Sequence, residues 1–150
     1  MVDDHNGEYV VVRHVTVDRK QTFREFVLSS TLRLLFIRIH PVIGEVPTGE
    51  GENVEVHFFT LDYDPTATEL HREYEVRGLK PDPLAQAKVN EDDWSFVAFR
   101  PNSCLVSLKP DGTASFVTFC LLNGERRVHI FRNARRWSRC CYFGGVPKSS

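Results

Sequence analysis

Six histidines (His5, His14, His40, His57, His71, His129) and four cysteines (Cys104, Cys120, Cys140, Cys141) are the side chains here that could serve as bases, nucleophiles or metal ligands near neutral pH. Their spacing fixes no site. Cys-x-x-Cys, His-Glu-x-x-His, Gly-x-Ser-x-Gly and a phosphate-cradling glycine loop are all absent. His14 and His129 fall inside apolar strand-like runs, where a hydrogen-bonded structural imidazole is the commoner role, and His71 lies on the solvent side of a helical pattern. Without an orienting third group, a nucleophilic Cys/His pair is the minor reading, so a small hydrolase with a His/Cys or carboxylate site stays an alternative.

The carboxylates divide in the same way. Asp62 and Asp64 would share one face of an extended strand, and Glu91-Asp92-Asp93 forms an acidic trio, but both groups stand where caps and turns use such residues. Gly49-Glu50-Gly51-Glu52 reads as a flexible acidic loop, because no lysine or helix follows it to hold a phosphate. No cofactor or metal is expected. Cys104 and Cys120 flank a hairpin across which a bond is one option; free thiols are the default for a chain of 150 residues with 11 Phe.

Charge is distributed unevenly. Pro41 to Asp93 carries thirteen acidic and four basic residues, a net −9, whereas Asn123 to Ser150 carries seven basic and one acidic, a net +6. The basic end interleaves Arg126, Arg127, Arg132, Arg135, Arg136 and Arg139 with Phe131, Trp137 and Tyr142, residue types that dominate binding hot spots. The expected function is a non-enzymatic binding or regulatory module that engages a protein partner through Arg126, Arg127, Arg132, Arg135, Arg136, Trp137, Arg139 and Tyr142. Nucleic acid is the rival partner for the same surface, weakened by a whole-chain charge of −1. The plainer account is that these arginines pair with acids of the same molecule.

The elements that must position these residues follow from pattern. Tyr9 to Val17 is a β-branched run read as a largely buried strand. Thr22 with Glu25 has capping-box spacing for a helix over 22–30, and Leu32 to Ile39 reads as a strand. A loop rich in Pro and Gly covers 41–53, and Asn53 to Leu61 alternates as a half-buried strand. Thr66 with Glu69 opens a helix over 66–77 closed by Gly78; Asp82-Pro83 opens another over 83–90. Ser103–Leu108, Ala114–Leu122 and Arg126–Phe131 form a meander turned at Asp111-Gly112 and Asn123-Gly124. A last strand is expected over 139–143, ended by Gly144-Gly145, with 147–150 frayed.

Glu-Tyr-Glu-Val-Arg-Gly-Leu at 73–79, Leu84-Ala85, Val89-Asn90-Glu91 and Arg100-Pro101-Asn102 carry a likeness that extends through Gly124-Glu125-Arg126 to Phe143-Gly144-Gly145-Val146. In these motifs the chain resembles a group of small bacterial proteins without an established activity, which implies a bacterial, cytoplasmic protein and transfers no catalytic residue. That group has more tryptophan near the final strand, where Cys140-Cys141 stand here. The expected architecture is a single α+β domain over 1–150. It has a mainly antiparallel β-sheet, two or three short helices and a C-terminal β-meander, with the helices at 66–77 and 83–90 on one face. Phe58, Leu70, Tyr74, Leu84, Val117, Phe119, Val128 and Ile130 should share its core. An acidic N-terminus and no apolar run near 20 residues argue against a signal sequence or a membrane span.

Overall fold

Phe58 and Phe59 are adjacent and both fully buried, and successive side chains of a strand point to opposite faces, so the sheet that holds them must be covered on both sides. The computed structural model describes residues 2–5, 8–30, 33–34, 46, 49–93, 100–132 and 137–148, with only the backbone at 2–5, 8–9, 33–34, 122 and 131–132. The fold is α+β. Its elements are β1 (Val2–His5), β2 (Glu8–Thr16), α1 (Phe23–Ser29), β3 (Arg33–Leu34), β4 (Asn53–Phe59), α2 (Ala67–Val76), β5 (Leu79–Lys80), α3 (Pro83–Asp92), β6 (Asn102–Leu108), β7 (Ala114–Leu122), β8 (Glu125–Arg132) and β9 (Tyr142–Pro147). The sheet runs β1-β2-β4-β9-β6-β7-β8-β3, with β5 attached to β9. Pairing is antiparallel except for β6 with β9 and β3 with β8.

Local chemistry accounts for most element boundaries. Thr22 and Glu25, and again Thr66 and Glu69, form complete capping boxes that satisfy the first free N–H groups of α1 and α2. The Asp82 carboxylate accepts from Ala85 N at 3.2 Å, and Pro83 takes the first helical position of α3. Asn123 and Gly124 have φ of 50° and 78°, the left-handed pair that a two-residue hairpin between β7 and β8 requires.

The two helices expected on one face lie on opposite faces. Leu84, Ala85, Ala87 and Val89 of α3 pack with Phe58, Cys104, Val117, Phe119, Val128 and Ile130, together with α1. Leu70 and Tyr74 of α2 pack with Phe59, Leu105, Phe116 and Phe143. The expected single core is therefore two cores, because the chain changes sides between α2 and α3 through β5. Nearly all of α3 is buried, including Gln86 and Asn90, whose amides bond to Asn102: Gln86 Nε2 and Asn90 Nδ2 each donate to Asn102 Oδ1 at 2.9 Å, and Asn102 Nδ2 donates to Asn90 Oδ1 at 2.8 Å, while Gln86 Oε1 has no partner among the described residues.

Three further expectations need correction. The last strand begins at Tyr142, since Cys141 N turns back to Ser138 O (3.2 Å), and it runs through Gly144-Gly145 instead of ending there. Pro147 is paired with Leu79, and Lys148 N donates to Gly78 O at 2.9 Å, so neither frays. The strand read over Tyr9–Val17 is open on one face, with His14 and Thr16 exposed beside buried Val15. β1 and β5 had no signal in the pattern. The strand expected at Leu32–Ile39 lies outside the described residues except for Arg33 and Leu34, as does most of the loop expected at 41–53 before Gly49.

The glycine pair in β9 lets both helices close on the sheet. A Cβ on Gly145 would stand 2.9 Å from Tyr74 Cε1 and 3.0 Å from Lys80 O; one on Gly144 would stand 2.6 Å from Gln86 Cδ. Tyr74 reaches past them, donating its hydroxyl to Gly144 O at 2.6 Å. Gly144→Ala should therefore destabilise the protein by about 1–3 kcal/mol through overpacking. In a denaturant double-mutant cycle much of that loss should disappear when Gln86→Ala is added; additive losses would contradict the contact.

Candidate functional site

Of the eight residues expected to form one binding surface, Arg126, Arg127, Trp137, Arg139 and Tyr142 have described side chains, and these five do not share one face. On β8 the side chains alternate, so Arg126 lies on the face of buried Val128 and Ile130 while Arg127 lies on the other. Arg126 Nη1 donates to Glu91 O at 2.8 Å, and Arg127 Nη2 meets Glu125 at 2.9 Å. Arg139 donates to Asp64 Oδ1 from its backbone N (2.8 Å) and its Nε (3.1 Å), and to Asp62 O from Nη1 (3.3 Å). Trp137 stacks flat on Phe116, centroids 4.2 Å apart and planes at 7°, with Nε1 3.3 Å from Ser103 Oγ. Tyr142 packs against the α1/α3 core with the Arg100 guanidinium 5.0 Å over its ring. The Arg132 side chain, Arg135 and Arg136 lie outside the described residues.

Of the carboxylates proposed as pairs, Asp64, Glu91, Asp92 and Asp93 are engaged too. Besides the Arg139–Asp64 contact, Asp93 accepts from Arg13 Nε at 3.1 Å, and Lys88 Nζ sits 3.5 Å from Glu91 and 3.2 Å from Asp92. Between Asp62 and Asp64, Tyr63 donates to Glu73 at 2.7 Å; burial and then that carboxylate push its hydroxyl pKa up.

All four cysteines are free thiols. Cys104 faces Val117 and Cys120 faces Arg127, so no bond joins that pair across the hairpin. Burial pushes the Cys104 thiol up and Cys141 up to about 12, with Ser103 and Trp137 partly opposing the latter, so neither forms a thiolate near neutral pH. His129 is lowered by desolvation, which favours its neutral form. Among the described residues, no group of three or more His, Cys, Asp or Glu is placed to hold a metal ion.

One histidine cluster does form, and sequence spacing had not shown it. His14 of β2 is directly opposite Glu55 of β4, and His57 follows two residues along β4 on the same face. His57 Nε2 lies 3.2 Å from Glu55 Oε1, and His14 Nε2 lies 3.8 Å from Oε2. His14 is 75% exposed, although its strand was expected to be largely buried. The adjacent hydroxyl, Thr16 Oγ1, is spent on Asn53 Oδ1 at 3.0 Å. A proton could pass between carboxylate and imidazole here, but an attacking group would have to arrive with the substrate.

Glu55 also borders a cleft. The last pair between β4 and β9 is His57 with Gly145; beyond it Val146 and Pro147 pair with Lys80 and Leu79, and the two strands part. The opening encloses about 370 Å³ between Glu50, Gly51, Asn53, Val54 and Glu55 on one side and Lys80, Val146 and Pro147 on the other. A smaller hollow of about 290 Å³, bordered by His14, Val15 and Thr16, shares Asn53, Val54 and Glu55 with it.

The wall carrying Glu50 and Gly51 is held by a buried ion pair. Arg19 reaches Asp82 through both Nη atoms (2.9 and 2.7 Å) and donates to the carbonyls of Gly51 (2.7 Å) and Glu50 (3.0 Å). The side chains are 13% and 2% exposed. Gly49, at φ +80°, has no room for a Cβ, which would stand 2.7 Å from Arg19 Nη1 and 2.8 Å from Asp82 Oδ1. The acidic loop read as flexible is thus pinned at 49–52. Asp82 was legible only as a cap, and Arg19, alone after its strand, carried no local signal.

Comparison with protein-family models, curated proteins and solved structures found no match to the chain. No helix among the described residues is long and apolar enough to cross a membrane. Removing Arg19 would leave a buried carboxylate unpaired, so Arg19→Ala should cost about 3–5 kcal/mol. The melting temperature should fall by about 10 °C. Arg19→Lys should recover only part, since an ammonium lacks the planar fork; an unchanged melting curve for Arg19→Ala would remove the pair from its structural role.

Proposed function

We propose that the protein is a non-enzymatic binding module that holds a segment of a protein partner in the cleft between β4 and β9. The observation behind this reading is the cleft itself: an opening of about 370 Å³ with Val54, Val146 and Pro147 as apolar lining and Glu50 and Glu55 as acidic lining. The Glu50 carboxylate has no partner among the described residues. A basic, partly apolar segment fits this lining better than nucleic acid, whose phosphates two carboxylates would repel. The cleft takes over the role expected of the arginine and aromatic residues of the C-terminal segment. Its small size suits a transient, roughly micromolar contact. A cytoplasmic, bacterial setting belongs to the same proposal, and four free thiols fit a reducing compartment.

The test is binding of short peptides by fluorescence anisotropy. Lys/Val peptides should bind and weaken with salt, Glu/Val peptides should not, and Glu50→Lys should reduce affinity on the order of fivefold. Equal binding of both sets, or an unaffected Glu50→Lys variant, overturns the reading.

The hydrolase alternative has one observation in its favour, the His14–Glu55–His57 cluster. With no protein nucleophile beside it among the described residues, the substrate that fits is one carrying its own, such as the 2′-hydroxyl next to an RNA phosphodiester: Glu55 would take that proton and an imidazole would protonate the leaving 5′-oxygen. Cleavage of a fluorogenic RNA oligonucleotide that falls on the order of a hundredfold in Glu55→Gln would establish this activity. No cleavage by the intact protein would dismiss it.

A further inference from the structure

We infer that the cleft is a slot for one added β-strand, in which an extended segment with alternating apolar and basic side chains pairs main chain to main chain with residues 53–56 of β4. This rests on the reading of the cleft as a protein-binding site and names what enters it.

The pairing registers carry the inference. His57, Phe58 and Phe59 have strand partners on both sides, β2 on one and β9 on the other. Among the described residues, 53–56 pair with β2 alone, because β9 leaves after Gly145 to join β5. The side of β4 that faces the cleft is therefore an open half-edge inside an otherwise continuous sheet. Such an edge presents backbone N–H and C=O groups ready to pair with another chain. It is also held in place: β2 backs it, and the Glu52 carbonyl next to it accepts from Val17 N at 2.7 Å.

The lining sets which side chains such a strand would carry. Val54 and Val56 point to the face of the α1/α3 core, where Val54 packs against the cluster, and Glu55 points to the other. An added strand alternates in the same way, so one set of its side chains meets Val54 and Val146 and the other meets Glu55. Apolar residues suit the first and basic residues the second. Lys80 stands on the opposite wall, so the preference for positive charge belongs to the β4 side.

The experiment uses the full chain and a fluorescent peptide of alternating Val and Lys. Two modified forms carry backbone N-methyl groups at every Val or at every Lys, which removes the main-chain donors of one edge while leaving the side chains. Main-chain pairing predicts a loss of about tenfold or more in at least one methylated form. It also predicts slower amide hydrogen exchange at residues 53–56 when the parent peptide is bound. If both methylated forms bind as well as the parent, the added-strand inference fails while the binding-module reading stands. If the parent peptide does not bind at all, both fail.

Discussion

The contact between Arg19 and Asp82 is the constraint around which the rest of the molecule is arranged. A carboxylate 2% exposed is tolerable only with a matching cation in hydrogen-bond contact, and a guanidinium with that little water must spend its remaining donors. Arg19 does both, with two bonds to Asp82 and two to the carbonyls of Glu50 and Gly51. One side chain thereby joins the segment after β2, the loop before β4 and the start of α3. Such a pair adds modest stability compared with an apolar replacement, but it admits one geometry. It sets where the 49–52 wall stands, and with it one side of the cleft.

The electrical polarity of the chain has a related outcome. Cations of the basic C-terminal segment meet groups of the acidic middle: Arg139 with Asp64, Lys148 with Glu75, and Arg126 with the carbonyl of Glu91. These contacts tie β8, β9 and the turn before β9 to the helical middle of the chain. Most are exposed, so each contributes little to stability. Their significance is that they occupy Arg126 and Arg139. A positive run in sequence is not a positive patch when strand alternation sends neighbours to opposite faces and the matching acids stand far away along the chain.

What the sequence disclosed was what its neighbours decide. Both capping boxes, the Asp82-Pro83 helix start, the Asn123-Gly124 turn and the α+β class depend on residues within a few positions, and all are present. The side on which each helix packs was not legible, because it depends on β5, a two-residue strand without a pattern of its own. Gly144-Gly145 looked like a terminator for a good local reason, yet its role is to admit Gln86 and Tyr74, residues 58 and 71 positions earlier. The same holds for the cleft: Glu55 and Lys80 were visible as charges, but their placement around a parting of strands is a property of the whole sheet. The His14–Glu55–His57 group needed the register of β2 against β4 before it could be seen.

The position of β9 bears on how the molecule is assembled. It is the latest strand in chain order, yet it lies in the middle, between β4 and β6. Until it inserts, β1, β2 and β4 can form one sheet fragment and β6, β7 and β8 another, each with a bare inner margin. Its insertion would then join the two fragments into one sheet. Folding should be slow for a protein of this size, and the nascent chain should be most prone to mispairing just before that strand arrives.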